Sequence, residues 1–449
     1  MFHGITGDDA VKGKVRASQV GEGFDPSEAE KSKKNVAYFI GGPFVHTANL
    51  FGTGFGPVDE SVEVNGEYPY AYDDESSVGW YLPLNAEYRS APTDALLRSS
   101  RVLASPASFD EDGNYSLNED ALKAVKSELY QGHGVSLALK TAHNGFNAKY
   151  RAVYYEGENV SDHAVTVVGY DDNFPKENFT RKNSSGTEIK GSTPPADGAF
   201  IIKNSWGLSS HDGDIDDGYF YLSYYDQSIN SPLSFVFDSK KAVKHAAPNY
   251  DQYDLMMTEW YGSTDYDNET KMANVFDAEE DESLYQIAYR TSADDTEVTY
   301  EIYKDVKDGD PASGTLLETG VNSHALTGFY KIDLKDEYAL KKGEKYSVVL
   351  TMKRDADGGE VYTEVFPYST EFYDGMTVTG IVNQGESYLY TDGKWSDMSS
   401  LKDSLAERAY QQCVRILASD YPDVEIEVQG KDKMALDNYP IKAILAPAA

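Results

Sequence analysis

One histidine and one asparagine, each in an apolar and strand-like setting, are the residues of this chain whose types and spacing can do chemistry. Asp162-His163-Ala164-Val165 is followed by Asn204-Ser205-Trp206-Gly207, and 41 positions separate His163 from Asn204. An imidazole can take a proton from a nucleophile and return it to a leaving group, and a side-chain amide beside it fixes the ring's orientation and tautomer. His163 and Asn204 are therefore two thirds of a Cys-His-Asn nucleophilic site. The default reading of a lone histidine is structural, with the ring satisfied by a backbone carbonyl. The Asn-Ser-Trp-Gly run shifts that reading: a buried Asn needs partners, and Trp206 would shield an imidazole–amide bond from water, where such a bond is stronger.

The nucleophile itself is missing from its place. The single cysteine, Cys413, lies far downstream in Gln412-Cys413-Val414, a strand-like run that reads as a buried, inert thiol. His3 and Ser18 have no nucleophile-like helix start near them.

The elements that must position the pair follow from pattern. Residues 1–40 are polar and weakly patterned. Pro43 suits a first helical turn, and Phe44–Phe51 reads as a short helix. Ser116 and Glu119 have capping-box spacing, Leu122, Val125 and Leu129 share one face, and Gly132 is a natural C-terminal stop, which predicts a helix from about Ser116. Strands are expected at Val135–Leu139, Ala164–Tyr170, Ala199–Asn204 and Gly218–Tyr225, with a polar Gly/Ser/Lys/Pro-rich insertion at 172–197. This half is α+β.

After about Tyr250 the helix signals largely vanish. Alternating runs at Ser283–Tyr289, Val298–Tyr303, Gly328–Leu334, Tyr346–Met352 and Ser387–Tyr390, separated by Asp/Gly-rich turns, predict a β-sandwich. Gln412–Ala418 reads as its closing strand. Ser419–Ala449 is either an extra strand pair or the start of a further segment.

Composition narrows the function classes. At 449 residues the chain is long enough for two or three domains, and its 40% hydrophobic content supports real cores. Its 75 acidic against 40 basic residues give a formal charge of −35, which argues against nucleic acid or an anionic membrane as partner. A single cysteine excludes a disulfide framework. No apolar run reaches membrane-spanning length, and the N-terminus has neither a basic nor an apolar leader region.

Gly41-Gly42, Val135-Ser136-Leu137, Asp162–Val165 with Gly169-Tyr170, Ile202–Gly207 and Gly218-Tyr219-Phe220 occur in the order found in papain-like cysteine peptidases. Residues 250–418 resemble the lectin-like β-sandwich that follows this domain in bacterial surface proteases. The matching runs there are Met272–Phe276, Tyr300–Tyr303, Gly328–Leu334 and Leu340–Gly343. The resemblance implies a papain-like domain at 1–245, incomplete at its N-terminus, a lectin-like domain at 250–418 and a tail at 419–449. It implies His163 as general base and Asn204 as its orienter, with Trp206 shielding the pair. Gly42 would present its backbone to an extended substrate, and Ala164 would line the pocket for a substrate side chain. It further implies a peptide or protein substrate, an extracellular or cell-surface location and no required cofactor.

The chain departs from the family at the nucleophile. The Gln of the oxyanion hole and the Cys at a helix N-terminus should precede Gly41-Gly42 by some forty residues, which puts the Cys at or before Met1. Loss of one oxyanion donor costs about 3 kcal/mol. Three readings stay open: a cysteine endopeptidase cut short before its nucleophile, a pseudo-peptidase that binds peptides without cutting, and a protein whose sandwich binds glycans or an envelope partner. Calcium is a further open expectation. The acidic run His211–Gly218 departs from an EF-hand, with its glycine one place late and Ser223 at position twelve, but it leaves a looser carboxylate site open.

Overall fold

Asn118, two residues beyond the expected Ser116, starts the main helix of the first half. Ser116 is held in a short strand opposite Ser108 and so is unavailable as a cap. The Asn118 side chain accepts from the Ala121 N–H at 3.0 Å, which satisfies one of the donors that a helix start leaves free. Gly132 ends the helix as expected. With φ at 86° it lets its own N–H reach Leu129 O and the His133 N–H reach Glu128 O, closing a Schellman motif.

The computed structural model describes residues 22–24, 44–52, 54, 56–57, 94–140, 146–204, 218–239, 241, 244–245, 249–250, 269–291, 293–354, 370–373, 376–378, 382–404, 407, 411 and 438–447. In chain order the first elements are β1 (Glu22–Phe24), α1 (Phe44–Gly52), β2 (Ala95–Val102), β3 (Ala107–Phe109), β4 (Tyr115–Leu117), α2 (Glu119–Tyr130) and β5 (Val135–Leu139). There follow β6 (Phe146–Asn147), β7 (Ala152–Val153), β8 (His163–Asp171), β9 (Ala199–Lys203), β10 (Tyr219–Ser223) and β11 (Asn230–Ser239). The fourfold strand expectation for this half holds to within a residue or two at each end.

Two compact units emerge, one of them Ser100–Val236. Its sheet runs β11-β5-β8-β9-β10-β7-β6, antiparallel except for the parallel β10/β7 pair. The β-strand period of two sends Val135, Leu137, Leu139, Val165 and Val167 to one buried row each, and α2 covers β5 and β8 with Leu122 and Val125. Burying a side chain such as Val125 is worth about 1.5–3 kcal/mol, more than either cap, so packing sets the helix's place and the caps set its ends. The buried Glu128 pins it further. Its carboxylate meets the Arg101 guanidinium at 2.6 Å, accepts from Ser234 Oγ at 2.7 Å and lies 2.9 Å from His133 Nδ1.

The insertion between β8 and β9 is less polar than its composition suggests. It contains a short 3₁₀ turn, Lys176–Phe179, and buries Phe174 and Phe179 with Ala152, Tyr154 and Ala199 in a small core of its own.

The other unit holds the remaining strands: β12 (Asn249–Tyr250), β13 (Glu269–Asp277), β14 (Glu282–Thr291), β15 (Thr296–Lys304), β16 (Thr315–His324), β17 (Gly328–Leu340) and β18 (Lys345–Arg354). After them come β19 (Thr370–Tyr373), β20 (Met376–Val378), β21 (Ser387–Thr391), β22 (Lys394–Asp397) and β23 (Ile441–Pro447). One sheet runs β16-β15-β18-β13-β21-β22, and β12-β23-β14-β17-β2 faces it. Alternate residues of both, among them Phe276, Ile287, Tyr289, Val348, Leu350 and Ile441, fill a shared core, which is a β-sandwich.

Asn274 of β13 joins those faces without leaving a polar atom stranded. Its amide donates to Tyr439 O and Ile441 O, and its carbonyl accepts from Ser387 Oγ. Ile441–Pro447, within the segment that sequence reads as an extra strand pair or the start of a further segment, is a buried strand paired with β14. The expected closing strand Gln412–Ala418, Cys413 included, lies outside the described residues.

The cap assignment has a direct check. Asn118→Ala should lower the stability of α2 by about 1 kcal/mol, read from hydrogen exchange of its first-turn amides, whereas Ser116→Ala should leave those amides unchanged. Equal effects of the two substitutions would restore Ser116 as the cap.

Candidate active site

The two residues singled out by type and spacing meet in space. His163 opens β8, and Asn204 follows the last residue of β9. Antiparallel pairing of these strands, with Thr166 opposite Lys203 and Val167 opposite Ile202, brings the start of one to the end of the other. His163 Nε2 lies 2.9 Å from Asn204 Oδ1. An amide oxygen only accepts, so Nε2 carries the proton and Nδ1 is left with its lone pair for use as a base.

Each member is held by its strand. His163 stands opposite the buried Leu139 of β5 and at the open end of the row that continues with Val165 and Val167. Asn204 is 7% exposed, and its own N–H donates to Gly218 O at 2.8 Å, where the chain re-enters as β10. Gly218 has φ at 71°, a conformation that favours glycine. Ala164, the residue expected to line a substrate pocket, is exposed and pairs with Ala138.

Sequence reasoning missed a supporting network below the histidine. The Asp162 N–H donates to Leu139 O at 3.0 Å, and its carboxylate lies 2.8 Å from Lys140 Nζ, so the residue before His163 is tied to β5 at two points. The Lys140 N–H in turn donates to Ser228 Oγ, whose hydroxyl donates to Asp226. Asp226 is fully buried and also accepts from the Tyr155 and Ser228 N–H groups. Its partners lie 71 and 2 residues away, and only the second separation leaves a trace in the sequence.

Gly42, Trp206 and the acidic run up to Asp217 lie outside the described residues, as do His3, Ser18 and Cys413. Among the described residues no group of three or more His, Cys, Asp or Glu side chains could hold a metal ion. The arrangement that is described is an imidazole whose Nε2–H faces an amide oxygen across two paired strands.

Two consequences can be measured. Nitrogen NMR of His163 should show the Nε2–H tautomer, and Asn204→Ala should produce a mixture of tautomers; an unchanged ring signal in the variant would dissociate the pair. Burial pushes the Asp226 carboxyl up from 3.8 to about 6, against the opposing pull of its hydrogen bonds. A raised folded pKa means that the native state holds an extra proton between those values, so stability falls as pH rises through that window. Relative to Asp226→Asn, the protection of β5 and β8 amides should fall by about 3 kcal/mol between pH 4 and pH 7. A pH-independent difference would mean that the buried carboxyl titrates normally.

Comparison with known proteins places this geometry. Residues 57–234 match the model of the papain family cysteine proteases, and residues 250–411 match the lectin like domain. No curated protein sequence matches the chain. Among solved structures it is similar to a Clostridial cysteine protease, Cwp84, after propeptide cleavage, at 18% identity and a TM-score of 0.60, covering 90% of this chain and 81% of that one. It is also similar to the cysteine protease and lectin-like domains of Cwp84, a surface layer associated protein of Clostridium difficile. There the identity is 18% and the TM-score 0.58, over 90% of this chain and 72% of the other. Residues 57–234 thus carry the likeness to the papain family cysteine proteases and residues 250–411 that to the lectin like domain, and the chain shares the fold of these solved structures.

Proposed function

We propose that this chain supplies the proton-handling half of a thiol peptidase site, with His163 as general base and acid and Asn204 as the residue that orients it. The observation that carries the reading is the 2.9 Å bond from His163 Nε2–H to Asn204 Oδ1, made between strands of the segment that matches the papain family.

The chemistry follows from the Nε2–H tautomer, which puts the basic lone pair of the ring on Nδ1. A cysteine thiol beside Nδ1 gives up its proton to the ring, and the thiolate attacks the carbonyl carbon of the scissile peptide bond. When the tetrahedral intermediate collapses, the imidazolium returns the proton to the leaving amine nitrogen. A water deprotonated by the same Nδ1 then releases the acyl group, and the thiol is regenerated. In this reading Gly42 offers its backbone to the extended substrate, Ala164 borders a side-chain pocket and Trp206 covers the His–Asn bond. The thiol mechanism as proposed requires no cofactor.

Cys413 is a poor candidate for the thiol, because its sequence setting is strand-like rather than the N-terminus of a helix. The 449-residue chain by itself is therefore proposed to be silent. The same cysteine count favours a second reading, in which the groove binds peptides and does not cut them. Protein substrates and a cell-surface setting are proposed by analogy with the surface-layer protease, and the lectin-like domain is proposed to hold a glycan of the envelope or of the substrate.

Fluorogenic peptides test this on the chain alone and on the chain preceded by a family segment bearing the Gln and Cys. The extended form should hydrolyse peptide, lose activity to a thiol alkylator, and lose about 10²–10⁴-fold in His163→Ala. Activity of the chain alone would identify a nucleophile that this reading rejects. Saturable peptide binding with no cleavage by either form would favour the binding role.

A further inference from the structure

A cavity of about 710 Å³ opens at the far edge of the Ser100–Val236 sheet, on the β6 side and away from His163. One wall is the turn after β6. The other is the hairpin of the insertion, where Lys182 pairs with Glu188 across a turn that ends at Gly186. Asn147 ties the two walls by donating its side-chain amide to Thr180 O at 2.7 Å, and the backbone of Arg181 is fixed by Ser192 and Ile189. The cavity thus belongs to a braced piece of structure, and its volume is that of a small-ligand site.

The electrostatics of this cavity run against the rest of the chain. The protein carries −35 formal charge, yet Arg181, Lys149 and Lys182 line this one space, with Glu177 and Glu188 as its acids. The Arg181 side chain has no ion pair and no hydrogen bond among the described residues, and its Nε is buried without a partner. Burial lowers its pKa. A half-buried guanidinium left in this state is costly, and its planar fork matches a carboxylate in two parallel hydrogen bonds. Lys149 sits over the Tyr150 ring at 4.5 Å, and that ring is 37% exposed at the rim.

We propose that this cavity binds an acidic sugar, with the uronate carboxylate on Arg181, flanked by Lys149 and Lys182, and the sugar ring against Tyr150. The mixed lining favours a sugar over an acidic peptide. Glu177 and Glu188 accept from hydroxyl groups, which a sugar supplies in number, while they repel a run of acidic side chains. The edge strand β6 is two residues long, too short to seat an extended peptide through its backbone.

Calorimetric titration of the full chain with galacturonate, galactose, acetyl-glutamate and inorganic phosphate at fixed ionic strength tests the assignment. Galacturonate should bind saturably and at least about tenfold more tightly than galactose, and Arg181→Gln should weaken it by a similar factor. Arg181→Lys, which keeps the charge and loses the fork, and Lys149→Gln, at an exposed position, should each weaken it several-fold, while His163→Ala leaves it unchanged. No saturable galacturonate binding, equal affinity in Arg181→Gln, or tighter binding of acetyl-glutamate or phosphate would overturn the proposal.

Discussion

The bond between the His163 ring and the Asn204 amide depends on one constraint, the register of β8 against β9. A strand pairing shifted by a single residue would turn every side chain to the opposite face, carrying His163 away from Asn204 and Val165 and Val167 out of the core. The apolar row behind the histidine is therefore also its alignment device. Val167 is fully buried opposite Ile202, so any slip exposes both, and the free energy that keeps the core closed keeps His163 in place.

The polar groups beneath the site extend the same control. Asp162 is tied to β5 by its N–H and its carboxylate, and Lys140 passes the restraint to Ser228 and the buried Asp226. A surface ion pair such as Lys140–Asp162 adds little stability by itself. Its place next to His163 matters more, because it helps to fix the backbone from which the ring reaches Asn204. The same division of labour recurs in the sandwich. Large apolar side chains supply the driving force, and the buried Asn274 supplies specificity by demanding that β13, β21 and the chain entering β23 meet at one point.

Much of this was legible in the residues. The strand runs of both halves are strongly patterned, and Gly132 and the apolar face of α2 read correctly because local sequence decides helix ends and amphipathic faces. The cap was misplaced since Ser116 and Asn118 are both good caps, and the choice between them is made by the β3–β4 pairing that takes Ser116 for itself. The insertion was read as polar by composition. Its two phenylalanines are buried only because β7 and β9, distant in sequence, present Ala152 and Ala199 to them.

The sequence by itself determined the chemistry available: a histidine and an asparagine in strand settings, a single cysteine in the wrong one, and alternating runs that can only be half-buried strands. Those facts are properties of residue type and local period. Only the tertiary structure decided which nitrogen of His163 carries the proton, because that follows from which one faces Asn204 Oδ1. It alone placed β23 in the sandwich, buried Asp226 behind the site and left the Arg181 Nε without a partner among the described residues, beside an open cavity. Each of those outcomes rests on contacts between distant segments, and a backbone's pairing partners at such separations are set by the whole core rather than by any local run of residues.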